Sequence, residues 1–219
     1  IMKNPFSKSR KFYELIDIYK EIALKGCYYE NGDFCPPERV FGKSGQLKFK
    51  EVLKKIFDKN KIKTVLDYGG GQGSWVLLDD KGVKLQDYLK LEKVTVFEPA
   101  RDLNEKPKAD CVVSFDVLEH VFFADVPWVL YDIFSKAEKV VIINVASFKA
   151  SKKITSRENA HITQRPPFWW KGMIDCIANY FPNINYSLLV STEPRKVTIY
   201  EPVSINEQLN ISGYTCLNK

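Results

Sequence analysis

No stretch of this chain approaches the ~18 consecutive apolar residues that a membrane-spanning helix requires. Ile1–Arg10 lacks the continuous apolar core of a secretory signal, so none is expected. No segment is low in complexity, and none repeats. Cysteine is sparse and badly placed for cross-linking. Cys27, Cys35, Cys111, Cys176 and Cys216 are odd in number, scattered, and free of any C-x-x-C pair. That argues against a zinc ribbon or a disulfide framework, and a reducing cytoplasm is the expected setting. Arginine is scarce too: only six of the 33 basic residues, so lysine carries most of the net charge of +6. Lys48, Lys50, Lys54, Lys55, Lys59, Lys61 and Lys63 crowd one expected helix. A nucleic-acid footprint is basic, but so is a solvated helix face, and the solvated face is the preferred reading.

What is present fits one α/β domain. The 219 residues, 45% hydrophobic and 27% charged, suffice for a substantial core. Phe12, Leu15, Ile16, Tyr19, Ile22 and Ala23 recur at helical spacing and predict an amphipathic helix over 9–24. A loop from Gly26 to Gly45 follows, and Phe49, Val52, Leu53, Ile56 and Phe57 mark a second helix. Residues 1–60 thus read as a helical cap on a core formed by 61–219. Strands are expected at Thr64–Tyr68, Val94–Phe97, Asp110–Phe115 and Lys139–Val145, with a helix over Val126–Ser135. Cys111 falls in one of these strands, as a small apolar filler. Strand alternating with helix predicts a mostly parallel, Rossmann-like sheet with helices on both faces. Pro166-Pro167 can open a further helix, after a polar loop over 146–165. Asn185–Ser191 and Lys196–Val203 read as a closing strand pair around Glu193-Pro194.

The densest signal is Val65-Leu66-Asp67-Tyr68-Gly69-Gly70-Gly71-Gln72-Gly73, an apolar strand that ends in a carboxylate and a glycine cluster. Glycine lets backbone approach a ligand closely. A helix expected from Ser74-Trp75-Val76-Leu77-Leu78, before a turn at Asp80-Lys81-Gly82, would add free N–H groups at its start. Asp67 can then face a cationic or amino-bearing ligand. A dinucleotide fingerprint fails because Ser74 occupies its third glycine position, and no Gly-Lys-Ser/Thr follows for a P-loop.

The pattern Asp-x-Gly-x-Gly-x-Gly resembles the S-adenosylmethionine (SAM) site of class I methyltransferases. Distant segments resemble more closely a poorly characterised bacterial and phage subfamily of those enzymes. These are Phe41-Gly42-Lys43-Ser44, Leu66-Asp67-Tyr68-Gly69, Glu98-Pro99-Ala100, Asp116-Val117-Leu118-Glu119-His120-Val121, Asn159-Ala160-His161 and Trp169-Trp170. The likeness spans roughly residues 40 to 180. Gly70-Gly71-Gln72 stands where many members carry Cys-Gly-Lys, a tolerable change where backbone contacts dominate.

The resemblance implies a class I methyltransferase fold, in which the final strand pair inserts one antiparallel strand into the sheet. Only eleven residues separate Glu98 from Asp110, so the usual third-strand edge must be shortened. The resemblance further implies that SAM is held by Asp67, Tyr68, Gly69, Gly70, Gly71, Gly73, Glu98, Pro99, Phe115, Asp116 and Val117, with Glu98 on the ribose hydroxyls. Glu119, Asn159 and Trp169 would border the substrate, and Trp170 would divide between core and pocket. Tyr28, Tyr29, Phe34 and Phe41 can cap a purine or simply pack. His120 and His161, the two histidines of the chain, can take a proton near neutral pH as an acid–base pair. A metal held by both histidines and Asp116 is the disfavoured alternative, so no metal is expected. Asp/Asn-Pro-Pro-Tyr/Phe and Pro-Cys, the signatures of nucleobase methylation, are missing from the Asp116 segment. The expected activity is methyl transfer to a small-molecule or saccharide-like acceptor, at oxygen, without nucleic-acid or membrane partners. RNA methylation and a non-catalytic SAM-binding module are the alternatives.

Overall fold

A computed structural model describes residues 3–41, 45–73, 75–79, 81–154, 158–193 and 196–201. Gly42-Lys43-Ser44, Ser74, Asp80, Pro194, Val203 and Cys216, which figure in the expectations above, lie outside the described residues. The chain opens with α1 (Arg10–Lys25), capped by Ser9, whose side chain accepts from the Phe12 amide. Next come β1 (Cys27–Tyr29), β2 (Phe34–Cys35), α2 (Pro37–Val40), α3 (Gly45–Lys48) and α4 (Lys50–Asn60). The stretch from Gly26 to Gly45 is therefore not a plain loop. β1 pairs with β2 through Cys27↔Cys35, and also with a distant strand described below.

The central sheet begins at β3 (Thr64–Tyr68), followed by α5 (Leu85–Tyr88), β4 (Lys93–Phe97) and β5 (Ala109–Phe115). Then come α6 (Val126–Lys136), β6 (Ala137–Ala146), β7 (Lys152–Lys153), α7 (Pro167–Ala178), β8 (Asn185–Glu193) and β9 (Lys196–Tyr200). Six strands lie in the order β4-β3-β5-β6-β8-β9; all neighbours are parallel except the antiparallel β8–β9 pair. Side chains alternate across a strand, and the two cores follow that period. Leu66, Val112, Val141, Ile143 and Leu188 pack on one face with Leu130, Phe134 and Trp170 of α6 and α7. Val65, Cys111, Val113, Val140 and Ile142 pack on the other with Leu53, Phe57 and Leu85 of α4 and α5. Near-continuous apolar strands result because both faces are covered.

Three local expectations are corrected. No helix follows the glycine loop among the described residues. Trp75 and Val76 lie in a turn, Leu78 bridges to Lys84, and α5 is a single short turn of helix. Val76 and Leu78 are exposed there, so the segment has no apolar stripe to bury, and the helix N-terminus expected to face a ligand is missing. The antiparallel strand is not inserted either. β8 pairs in parallel with β6 from Val140↔Asn185 to Ala146↔Ser191, and β9 lies outside it. Burial explains the order: Tyr186–Val190 is buried throughout, whereas Lys196–Ile199 is exposed and suits an edge. Third, the 146–165 loop contains β7, which joins β1 through Tyr28↔Lys153 and Tyr29↔Lys152. At the opposite edge, β4 ends the sheet. Its link to β5 holds one 3-10 turn, Pro99–Arg101, and neither an α-helix nor a further strand.

α1 crosses over that turn, with Lys20 paired to Asp102 at 2.8 Å. Its start is clamped to the start of α6. Fully buried Asp125 accepts from the Ser9 amide at 2.6 Å and from the Ser9 hydroxyl at 2.7 Å. Asp125→Ala removes both bonds and is expected to cost about 2 kcal/mol, read as a lower urea midpoint by tryptophan fluorescence. Asp125→Asn, which keeps one acceptor, should lose less. An unchanged midpoint in the alanine variant contradicts the clamp.

Candidate functional site

Parallel strands end on one side of a sheet, and their carboxyl ends make the crevice where open α/β folds take ligands. Here Tyr68-Gly69, Phe97-Glu98, Phe115-Asp116 and Ala146 mark those ends. Above them lies a cavity of about 720 Å³, within the range of small-molecule sites. Phe12, Leu15, Ile16 and Tyr19 of α1 form its roof.

The glycine loop is bound to the neighbouring strand. Gly69 and Gly70 both donate to the Phe97 carbonyl, at 2.8 and 3.2 Å. Gly69 has φ +76°, and a Cβ there would sit 2.6 Å from Val117 Cγ2. A Cβ on Gly70 would collide with the Asp67 carboxylate beneath it. These two positions need glycine for different reasons: left-handed backbone and close approach at the first, room for a carboxylate at the second.

Glu98 closes the arrangement from β4. Its Oε2 accepts from the Gly71 amide and its Oε1 from the Ala100 amide, each at 3.1 Å. Arg101 Nη1 donates to the Gly71 carbonyl at 3.2 Å. Burial raises the Glu98 pKa, and the two amides pull it back.

Asp67 does not face the cavity. Its neighbours in sequence explain this: Leu66 and Tyr68 point to the α6 side, so Val65 and Asp67 point to the other. There its oxygens accept from Gln46 Nε2 at 3.2 and 3.1 Å and from Trp75 Nε1 at 2.8 Å. Asp67 is wholly buried, and burial pushes its pKa up to about 7 against the pull of the Trp75 and Gln46 bonds. The geometry makes it a brace beneath the loop. Tyr68 borders the cavity instead, and its hydroxyl donates to Asp132 at 2.8 Å.

The segment after β5 supplies the opposite wall. Asp116 has φ +55°, a conformation uncommon outside glycine, and its amide donates to the Asn144 carbonyl at 3.1 Å. Its side chain opens into the cavity, where enclosure raises the pKa and Lys48 lowers it. A 3-10 turn, Leu118–His120, then places Glu119 and His120. Glu119 is fully buried. Its Oε1 accepts from the Ala146 amide at 2.8 Å, and its Oε2 has no hydrogen-bond partner. Burial, then the Asp116 charge, raise its pKa well above the carboxylate range.

His120 Nδ1 meets the Tyr19 hydroxyl at 2.8 Å, and His161 Nδ1 meets the Phe148 carbonyl at 2.5 Å. The two imidazoles stand edge to face, 4.8 Å between centroids. Burial and then His161 lower the His120 pKa to about 3, against the Ala160 carbonyl. Burial lowers that of His161 as well, against the Phe148 carbonyl. An imidazole held as low as His120 stays neutral and accepts a proton reluctantly.

Of the residues expected at a site, the cavity brings together Tyr68, Gly69, Glu98, Pro99, Asp116, Val117, His120 and His161. Gly70, Gly71 and Gly73 do not border it, and Phe115 packs on Phe49 with ring centroids 5.5 Å apart. Glu119 sits in the core. Asn159 braces its own loop and ties it to the β1–β2 turn: it donates to Glu30 at 2.6 Å and to the Ala150 carbonyl at 2.9 Å, and accepts from the His161 amide at 3.0 Å. Trp169 packs edge to face on Trp170, which is fully buried. Among the loop aromatics Phe41 reaches the cavity, while Tyr28 and Phe34 are exposed and pack on each other. Sequence reasoning expected a helical cap but did not single out the α1 side chains that line the cavity, and it missed the supports Gln46 and Trp75 and the pair Lys8 and Trp128, 3.9 Å from ammonium to ring centre. An apolar stripe over a cavity gives the same periodicity as one over a core; no signal in the sequence separates them.

A carboxyl whose pKa rises on folding binds its proton more tightly in the folded state, so its share of stability falls as pH climbs from about 4 to about 7. Asp67→Asn retains an acceptor for Trp75, and a flipped Gln46 amide can accept from the new N–H. The melting temperature of this variant relative to the wild type should therefore increase between pH 5 and pH 8, as read by thermal melts in matched buffers. A pH-independent difference contradicts the buried brace.

Compared with known protein families and with curated proteins, the chain matches no family model and no curated relative.

Proposed function

We propose that the chain is a SAM-dependent methyltransferase acting at an oxygen of a small-molecule or saccharide-like acceptor. The observation that carries this reading is the meeting of Gly69, Glu98 and Asp116 around one cavity. Each offers a different recognition element. Gly69 brings bare backbone to the surface. Glu98 accepts one N–H on each oxygen, which leaves each a lone pair for the vicinal hydroxyls of a ribose. Asp116 supplies a negative charge to the amino or sulfonium group of the cofactor. Phe97, Pro99 and Phe41 give an apolar flank suited to a purine.

SAM, when bound, supplies an already activated methyl group, so the protein's task is alignment and exclusion of water. The α1 roof serves the second requirement. His161, the less strongly shifted of the two imidazoles, is the better placed to hold a proton from the acceptor. The edge position of β9 departs from the strand order that the resemblance implies, but that edge is far from the cavity wall that carries the reading.

RNA methylation fits less well. No residue of the lysine-rich α4 borders the cavity, and two of its lysines are paired: Lys50 with Asp79 and Lys54 with Asp58. A non-catalytic module would not need two imidazoles on the cavity that takes the cofactor.

Calorimetric titration with SAM should give saturable binding in the micromolar range. Asp116→Asn, isosteric and open to the cavity, should weaken it about tenfold, or ~1.4 kcal/mol, without lowering the melting temperature. No heat from the wild type at millimolar SAM overturns the reading.

A further inference from the structure

We propose that Glu119, His120 and His161 bind one divalent transition-metal cation at the cavity wall, with open coordination positions facing the cavity. One donor atom from each of the three residues lies within 4.8 Å of the other two. Two imidazoles and one carboxylate are the donor set of many zinc and non-haem iron centres that keep a position open. Both histidines border the cavity, so a cation held here would meet whatever enters it.

Independent of this clustering, Glu119 Oε2 is unsatisfied. The side chain is fully buried, its Oε1 is taken by the Ala146 amide, and no protein donor reaches Oε2. An unpaired buried carboxylate oxygen is costly, and a cation is the partner that would offset the cost. Sequence neighbours do not provide it: Asp116, on the same segment, adds a further negative charge.

The rings are also prepared as ligands. A carbonyl can only accept, so His161 Nδ1 must carry the proton that it shares with Phe148, and Nε2 is left with its lone pair. His120 uses Nδ1 on the Tyr19 hydroxyl, and a cation on its other nitrogen would take the place of the contact with the Ala160 carbonyl. Oxygen partners on the far nitrogen fix the tautomer and orientation of metal-binding histidines in general. Tetrahedral coordination at about 2.1 Å requires donors roughly 3.4 Å apart, so side-chain rotations on the order of 1 Å close the site. An imidazole pair with one carboxylate suits zinc, cobalt or manganese better than magnesium, which prefers an all-oxygen shell.

The cation site stands without the methyl-transfer reading; only its use, to draw in and acidify an acceptor hydroxyl in place of His161 as the proton holder, rests on it. The test is titration of chelator-treated, full-length protein with Co²⁺, followed by visible absorption. Saturation at one equivalent, displacement by Zn²⁺, and no thiolate-to-cobalt band in the near ultraviolet are expected. Glu119→Gln, which preserves shape and the Ala146 bond, and His161→Gln should each weaken binding at least tenfold. Absence of saturable spectra in the wild type overturns the proposal. So does binding that persists unchanged in both variants, or a strong thiolate band, which would put the ion on Cys27 and Cys35. Cobalt binding in a protein that gives no heat with SAM retains the cation site and removes methyl transfer; the converse result does the opposite.

Discussion

A carboxylate with no access to water organises the rim of this sheet. Asp67 lies under the glycine loop, and the loop can lie there because Gly70 has no side chain to exclude it. Gln46 and Trp75 reach in from α3 and from the turn after the loop, so two separate segments converge on the two oxygen atoms of Asp67. On the other side Glu98 ties Gly71 to the turn after β4. The loop is held between two buried carboxylates, one below and one beside it. Asp67 is turned away from the cavity, whereas Glu98 braces the loop and still borders the cavity.

The cavity is built by elements of opposite character. Its floor is rigid: parallel strands buried on both faces and tied by continuous ladders. Its roof is a helix joined to the rest by a few polar anchors, chiefly Ser9 on Asp125 and Lys20 on Asp102, and by the apolar contacts of one stripe. The chemistry-bearing groups, Asp116, His120 and His161, sit between floor and roof on turns rather than within strands. The left-handed backbone at Asp116 is the point where the chain leaves the sheet to build that wall.

Much of the floor was legible in the sequence. Thr64–Tyr68 stands as a strand at the expected residues, the runs at Val94 and Asp110 each became a strand one residue longer, and the run at Lys139 became one three residues longer. Those runs are legible, though not their exact ends, because burial on both faces leaves little choice of residue. What escaped was set by tertiary contact. The segment from Trp75 to Leu78 is apolar enough to suggest a helix, yet the bond from Trp75 to Asp67 and the exposure of its neighbours decide otherwise. Asp67 lies next to glycines in any reading, but the face it occupies depends on which side of the sheet α4 covers. β8 and β9 are both rich in β-branched and aromatic residues, so their order in the sheet is decided by packing on α7, not by composition. Asn159 and Trp169 belong to segments that carry the resemblance, and the folded chain engages both within its own framework.

The small sheet β2-β1-β7 has a mechanical corollary. β1 begins two residues after α1 ends, and β7 belongs to the same excursion as His161. Two backbone pairings thus couple the helix over the chamber to the loop that carries an imidazole in its side. A tilt of that helix large enough to admit a solute would pull on the histidine's loop in the same stroke. Entry and the arrangement of the inner wall are therefore joined as by a lever.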